Sequence, residues 1–291
     1  MSKQMSKHMN KRMDKTALAR WFGRGWLSLG YLFLYLPLVV LVVFSFNSSR
    51  QDMVWSGFST QWYPELFKDA ELVSGFVLSL KIALMSATAS VVLGTFAAFV
   101  LNRYKRFPGR LLFSGMVSAP LVMPDVIIGL SLLLMMVSMQ KIFGFPERGA
   151  FTIWMGHTLL GVAYAAVVVQ ARLREMNRSL EEAAMDLGCR PHQVFFLVTL
   201  PNITQSLASA WLLTFTLSLD DVVLSNFLSG PGATTMPLVI MSRARLGLDP
   251  RVNAVAALTI LVVSAGVIVA AIMMARAERQ RQKQVAAAVK S

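Results

Sequence analysis

Glu182-Ala-Ala-Met-Asp-Leu-Gly188, nine further residues, then Val198-Thr-Leu-Pro201 make one polar, patterned island in this chain. On either side lie apolar runs, residues 151–171 and 203–228. Each is long enough to cross a bilayer core, which takes about 20 helical residues. Working outward, the same test finds four more runs, at 26–46, 72–101, 111–139 and 252–275. The second and third runs, 72–101 and 111–139, exceed a perpendicular crossing, so tilt or kinks are expected there. Composition agrees: 55% of the 291 residues are hydrophobic and 15% charged, against roughly a quarter charged in soluble domains. A β-barrel would show short alternating segments, and these runs do not alternate. The expectation is an all-α membrane protein with six transmembrane helices over 26–275. A surface loop at 172–201 and basic tails at 1–25 and 276–291 complete it.

The net charge of +13 would point to nucleic acid in a soluble protein. Here it sorts by loop. With the N-terminus placed inside, the segments 1–25, 102–110, 172–201 and 276–291 hold twenty Lys and Arg. The opposite segments hold seven: Arg50, Lys68, Lys141, Arg148, Arg243, Arg245 and Arg251. This is the positive-inside bias of a six-span chain with both termini cytoplasmic. The first run is too long for a signal-peptide core and lacks a small-residue cleavage site, so it reads as a retained anchor. The first 20 residues read as a flexible tail. The single cysteine, Cys189, excludes an internal disulfide and a multi-thiolate metal site.

Within the island, Ser179-Leu-Glu-Glu182 fits a capping box. Leu180, Ala183, Ala184 and Leu187 follow at helical spacing. Gly188 suits the left-handed residue that ends a helix, and Pro191 suits the first turn of a second one, which Leu200-Pro201 closes. Four arginines (172, 174, 178, 190) balance Glu175, Glu181, Glu182 and Asp186. A helix lying on lipid would carry a Lys/Arg-rich polar face instead. A protein partner therefore fits this surface better than a membrane does.

The spacing Glu182-Ala183-Ala184, Gly188, Val198, Leu200-Pro201 resembles the signature of permease subunits of bacterial binding-protein-dependent ABC importers, with Val198 where isoleucine is usual. Further stretches resemble the second permease subunit of spermidine/putrescine importers, closest to the putrescine-system member: Phe44-Ser-Phe-Asn-Ser-Ser49, Ala119-Pro-Leu-Val-Met-Pro-Asp125, Leu217-Ser-Leu-Asp-Asp-Val222 and Ser229-Gly-Pro-Gly-Ala-Thr-Thr235. The resemblance implies the fold of a type I ABC importer permease. It also implies a coupling helix at Glu182, Ala183, Ala184, Gly188, Leu200 and Pro201 that docks on an ATPase subunit. The implied partners are a sister permease, ATP-binding ATPase subunits and a periplasmic substrate-binding protein, all at a bacterial inner membrane.

Four ionisable residues fall inside spans, where they are costly and usually functional. Lys81 lies close enough to the outer end of its span to snorkel. Asp125 lies about 21 Å along a straight helix from Leu111, after Pro120 and Pro124, which favour a break. A broken helix with a buried carboxylate makes a binding point in transporters; a structural hydrogen bond to a freed amide is the other reading. Asp220 and Asp221 sit roughly 26 Å from the inner end of the fifth span. They project about 100° apart, so one is expected to line a passage and the other to bond a neighbouring helix or the sister subunit. A solvated helix end accounts for them as well. His157 and Trp211 read as packed helix contacts.

Without a phosphate-binding loop carrying Lys and Ser/Thr, the chain is expected to bind no cofactor of its own, ATP and magnesium sitting on the partner ATPase. The leading expectation is a non-catalytic permease subunit that imports a polyamine, putrescine first, past Asp125 and Asp220 or Asp221. An importer of another small solute, a membrane-embedded enzyme and a channel stay open as alternatives. The histidines at 8, 157 and 192 are scattered for an enzyme, and an ATPase handle is purposeless in a channel.

Overall fold

The computed structural model describes residues 2–49, 54–246 and 250–288; Arg50 and Lys290, counted above among the loop and tail charges, lie outside the described residues. Every regular element in them is helical, apart from one isolated bridge between Asn47 and Phe58. Six helical stretches are long and apolar enough to cross a membrane: Trp21–Phe44, Ala70–Arg103, Asp125–Phe143, Ala150–Glu175, Pro191–Asp220 and Pro250–Arg276. The chain divides into two compact units, residues 1–66 with 248–262, and residues 67–247 with 263–291.

In the first unit, α1 (Ser2–Phe44) is one long helix. It takes in the basic segment expected as a tail. Beyond it the chain winds around Asn47, which is buried. The Asn47 amide donates to Val54 O (2.8 Å), its Oδ1 accepts from Ser56 N (3.0 Å), and its carbonyl accepts from Trp62 Nε1 (2.6 Å). Phe46 stacks on Phe58 at 5.3 Å beside Tyr63. Trp62 opens α2 (Trp62–Lys68).

The second unit holds α3 (Ala70–Arg103), α4 (Arg110–Ser118), α5 (Asp125–Phe143), α6 (Ala150–Glu175), α7 (Ser179–Asp186), α8 (Pro191–Val194), α9 (Leu200–Asp220), α10 (Val223–Leu228) and α11 (Met236–Leu246). The long α12 (Pro250–Ala288) closes the described chain. The helices α3, α6 and α9 form its packed centre. Small residues explain how closely α3 and α6 approach. A Cβ on Gly94 would lie 2.7 Å from Ala165 Cβ and 2.9 Å from Ala166 N, and one on Gly161 would lie 2.3 Å from Ser90 Oγ. In lipid, where apolar burial drives no helix association, such backbone approach supplies the packing attraction. A second cluster, built on Ile82, Leu132, Met136, Ile153, Leu224 and Leu228, seats α5 and α10 against α3 and α6.

The predicted third run breaks where its prolines stand. α4 runs into a 3-10 turn at Ala119–Leu121 that contains Pro120, Pro124 interrupts the chain, and α5 begins at Asp125. Only the part from Asp125 to Phe143 is a helix of spanning length. The segment after α10 folds back onto α3, as Met236 N donates to Ser79 Oγ at 2.7 Å and Thr234 O lies against Gly75.

Candidate functional site: the docking loop and the polar end of α9

The island between the fourth and fifth spans forms α7, a glycine turn and α8. Gly188 has φ +90° with open space around it, so glycine is required there by backbone handedness alone. The amides of Leu187, Gly188 and Cys189 close the turn onto Ala183, Met185 and Ala184 carbonyls. Pro191 occupies the first turn of α8, and Gln193 Oε1 accepts the amide of Arg190 at 2.8 Å.

Two local expectations are corrected. The capping box at Ser179 does not form: Ser179 is already helical, and Asn177 Oδ1 accepts its amide at 3.1 Å. Second, Leu200-Pro201 does not close a short helix. A π-helical turn at Phe195–Thr199 joins α8 to α9, with Leu200 N bonded to Phe195 O. The wide turn relieves the clash that the Pro201 ring would make four residues back, so the helix continues to Asp220. The residue of α7 that turns inward is Glu181, while the apolar set faces away from the chain's own core. Leu180 and Leu187 are exposed, as are Glu182 and Ala183, with Ala184 half-buried.

Glu181 is buried and ion-paired with Arg103 at the end of α3. Its other oxygen accepts from the hydroxyl of Thr199, in the π turn, at 2.8 Å. One carboxylate thus ties α7 to α3 and to the root of α9. Arg178 donates to Asn102 O (3.2 Å) and Asn102 to Leu173 O (3.3 Å), adding links among the same ends. Phe195 lodges against Phe99 and Phe96 of α3, with ring centroids 5.0 and 6.3 Å away. The result is a braced platform that leaves Glu182, Ala183 and Gly188 facing outward. Glu181, Arg103 and Thr199 escaped sequence reasoning because Arg103 is 78 residues away; its place as the last, basic residue of a span was the available signal.

At the other end of α9, the two adjacent aspartates separate because Asp220 is the last helical residue and Asp221 leaves the helix with an extended backbone. Asp221 turns inward. Its Oδ1 accepts from Leu224 N (3.2 Å) and its Oδ2 from Ser225 N (2.8 Å), so it caps α10. Oδ2 also lies 3.1 Å from His157 Nε2, and His157 Nδ1 lies 2.7 Å from Ser218 Oγ. Ser86 Oγ reaches Ser218 Oγ at 3.1 Å. A consistent order of donors runs Ser86 to Ser218 to His157 Nδ1, with the imidazole proton on Nε2 donated to Asp221. Serine, histidine and carboxylate repeat the order of a hydrolytic triad. Yet His157, Ser218 and Ser225 are buried and the space beside them is about 10 Å³, which leaves no room for a substrate. Asp220 is exposed, and no hydrogen bond from another residue reaches its carboxylate among the described residues.

Asp125 is likewise exposed, in the first turn of α5, where the helix dipole favours an anion. Lys81 lines a polar cleft of about 430 Å³ with Glu71, Ser74 and Thr234. Trp211 stacks on Phe215 at 5.1 Å and donates to Thr88 at 3.1 Å, a helix contact. Arg243 forks onto Asp69 (2.8 and 2.9 Å) and reaches Glu71 (2.9 Å). Hydrogen bonding to Asp69 raises its pKa above the usual guanidinium range, against the opposing effect of burial. No cluster of three metal-ligating side chains occurs among the described residues.

Comparison with known proteins gives this geometry a family. Residues 90–283 match the model of the binding-protein-dependent transport system inner membrane component. The chain is 52% identical over 260 residues to the putrescine transport system permease protein PotI of Escherichia coli K12, covering 89% of this chain and 92% of that one. It is 35% identical over 252 residues to the spermidine/putrescine transport system permease protein PotC of the same strain, covering 87% and 93%. Among solved structures, a bacterial ABC transporter that imports the acidic polysaccharide alginate aligns with a TM-score of 0.68 at 17% identity, over 91% of this chain and 99% of that one. An amino acid ABC transporter aligns at 0.55 and 18% identity, over 74% and 98%. With its six apolar helices, its braced glycine-turn loop and these matches, the chain belongs to the binding-protein-dependent transport system inner membrane components, multi-pass permeases of ABC importers.

Proposed function

We propose that this chain is the transmembrane permease subunit of an ATP-driven polyamine importer, with putrescine as cargo. The observation that carries the reading is its 52% identity, across nearly its whole length, to a permease named for putrescine transport. The basic segments 1–25, 102–110, 172–201 and 276–291 put both termini and the α7–α8 loop in the cytoplasm. There the exposed Glu182, Ala183 and Gly188, with the half-buried Ala184, meet a separate ATPase subunit, which binds the nucleotide and magnesium. Leu200 and Pro201 carry the loop into α9. Closure of the ATPase pair moves the braced loop as one piece, and with it α3 and α9. The site alternates between the two sides of the membrane, taking cargo from a periplasmic binding protein with a sister permease as the other wall.

Asp125 and Asp220 are the carboxylates offered to a cationic cargo, and Asp221 positions the end of α9 through His157. Uptake of labelled putrescine, in cells carrying the whole transport system with or without this chain, tests the reading. Deletion is expected to abolish uptake; putrescine uptake unaffected by deletion refutes the cargo. Co-purification of the ATPase, lost on Glu182→Arg or Gly188→Trp, tests the coupling assignment.

A further inference from the structure

The turn between α3 and α4 carries positive charge that its own surroundings do not neutralise. Of the cations in segment 102–110, Arg103 is ion-paired with Glu181. Lys105, Arg106 and Arg110 have no ion pair among the described residues. No Asp or Glu occurs anywhere from Leu72 to Pro124. The 172–201 loop, by contrast, sets its arginines against Glu175, Glu181, Glu182 and Asp186.

Local chemistry folds these three charges together. Pro108 presets φ for the second position of a turn, and Gly109, at φ +78°, takes the left-handed third position. Arg110 N donates to Phe107 O at 3.2 Å and closes it. Phe107 then packs edge-on against Phe113 of α4, with ring centroids 6.3 Å apart. The chain doubles back, so that Lys105, Arg106 and Arg110 line one cleft of about 600 Å³ with Phe107, Leu111 and Ser114. Arg110 donates to Leu101 O at 3.4 Å, one acceptor for a group with several donors. Like charges around one cleft repel each other, and an anion among them relieves the repulsion.

The cleft also adjoins an apolar surface. Leu111, Leu112 and Met116 are 89%, 70% and 67% exposed. At 100° per residue they fall within an arc of about 140° on α4. Leu111 belongs to both features, lining the cleft and beginning the arc. A free inorganic anion uses the charges and leaves the arc in contact with water. A molecule with an anionic head and hydrocarbon tails uses both.

We propose that this cleft binds the headgroup phosphate of an anionic phospholipid, whose acyl chains run along Leu111, Leu112 and Met116. The leaflet is the cytoplasmic one, on the placement of segment 102–110 given above; the binding itself depends neither on that placement nor on the cargo. Basic pockets at the ends of membrane helices suit such headgroups, each cation near the surface adding about fivefold in affinity. A zwitterionic lipid brings an ammonium group into the same cleft and loses that advantage.

Native mass spectrometry of the whole transport complex, titrated in detergent with phosphatidylglycerol or with phosphatidylcholine of matched chains, tests the site. Phosphatidylglycerol is expected to bind at least about tenfold more tightly. Lys105→Gln and Arg106→Gln are each expected to weaken it about fivefold. Arg174→Gln and Arg190→Gln, in the 172–201 loop, are expected to change it by less than about twofold. A diazirine on the acyl chain is expected to attach within residues 111–116. Equal binding of the two lipids overturns the proposal, as do losses no larger at the cleft than at Arg174 and Arg190. Attachment outside 111–116 overturns the placement of the chains. Displacement of the lipid by inorganic phosphate makes this a site for a free anion and overturns the lipid. The two-lipid comparison on the unsubstituted chain decides the matter even where a variant fails to assemble. Detergent micelles have no sides, so a failure of the cytoplasmic placement leaves every one of these outcomes unchanged.

Discussion

Glu181→Ala removes the single carboxylate that braces the α7–α8 loop. Arg103 then loses its ion pair, and the buried Thr199 hydroxyl loses its acceptor. Breaking a fully buried pair by deleting one partner costs about 3–5 kcal/mol. The Arg103 side chain is 32% exposed and recovers some hydration, which favours the low end. The lost Thr199 bond adds about 1 kcal/mol. A destabilisation of about 4 kcal/mol translates into a midpoint lowered by roughly 8–16 °C at 2–4 °C per kcal/mol. The neighbouring Glu182→Ala, on the exposed side of the same helix, is expected to move it by less than about 2 °C. Thermal unfolding of the purified complex in nanodiscs compares the two. Replacing both charges with apolar groups, Glu181→Leu with Arg103→Met, is expected to recover much of the loss, since no unpaired charge remains. Equal shifts for Glu181→Ala and Glu182→Ala, or a double variant as unstable as the sum of its singles, would refute the brace.

Gly188→Ala meets no neighbouring atom but must hold φ +90°, so a loss of about 1–2 kcal/mol is expected. Gly188→Asn should lose less, because asparagine tolerates that region; the same melting curves decide. Gly94→Ala drives a methyl into Ala165 and the Ala166 backbone and should cost about 1–3 kcal/mol. A Gly94 variant with an unchanged midpoint would show that α3 and α6 are not held at that distance. Asp221→Asn removes the charge that His157 and two amides share, and is expected to lower thermal stability and uptake together. Asp220→Asn is expected to lower uptake with an unchanged melting point. Arg243 has its pKa raised, so its stabilisation is fully present below the ordinary guanidinium range and is lost only above it. The stability difference between wild type and Arg243→Gln should therefore stay flat between about pH 8 and pH 10.

The six crossings were legible because a bilayer demands long apolar runs, and 15% charge leaves few other readings. The glycine turn was legible too, since a left-handed residue after a periodic apolar segment has few substitutes. So was the break in the third run, written as Pro120 and Pro124. What resisted reading depends on distant partners. Which of Glu181 and Glu182 turns inward is decided by Arg103, and which of Asp220 and Asp221 by His157, 64 residues earlier. Local rules also competed. Asn177 Oδ1 takes the Ser179 amide, and Ser179 lies inside the helix rather than at its cap. Pro201 failed to stop α9 because one wide turn absorbed its missing donor.

That wide turn makes a lever of the fifth span. From Pro191 to Asp220 the helix is unbroken over 30 residues, or ~45 Å at 1.5 Å per residue. A rigid rod of that length, pivoted at the Pro191 end, amplifies whatever happens there: a tilt of ~10° sweeps the far tip through ~8 Å. A loop closed at Leu200 would have lost that gain in a flexible joint. Small strokes at one surface thus become displacements at the other comparable to the width of an organic cation.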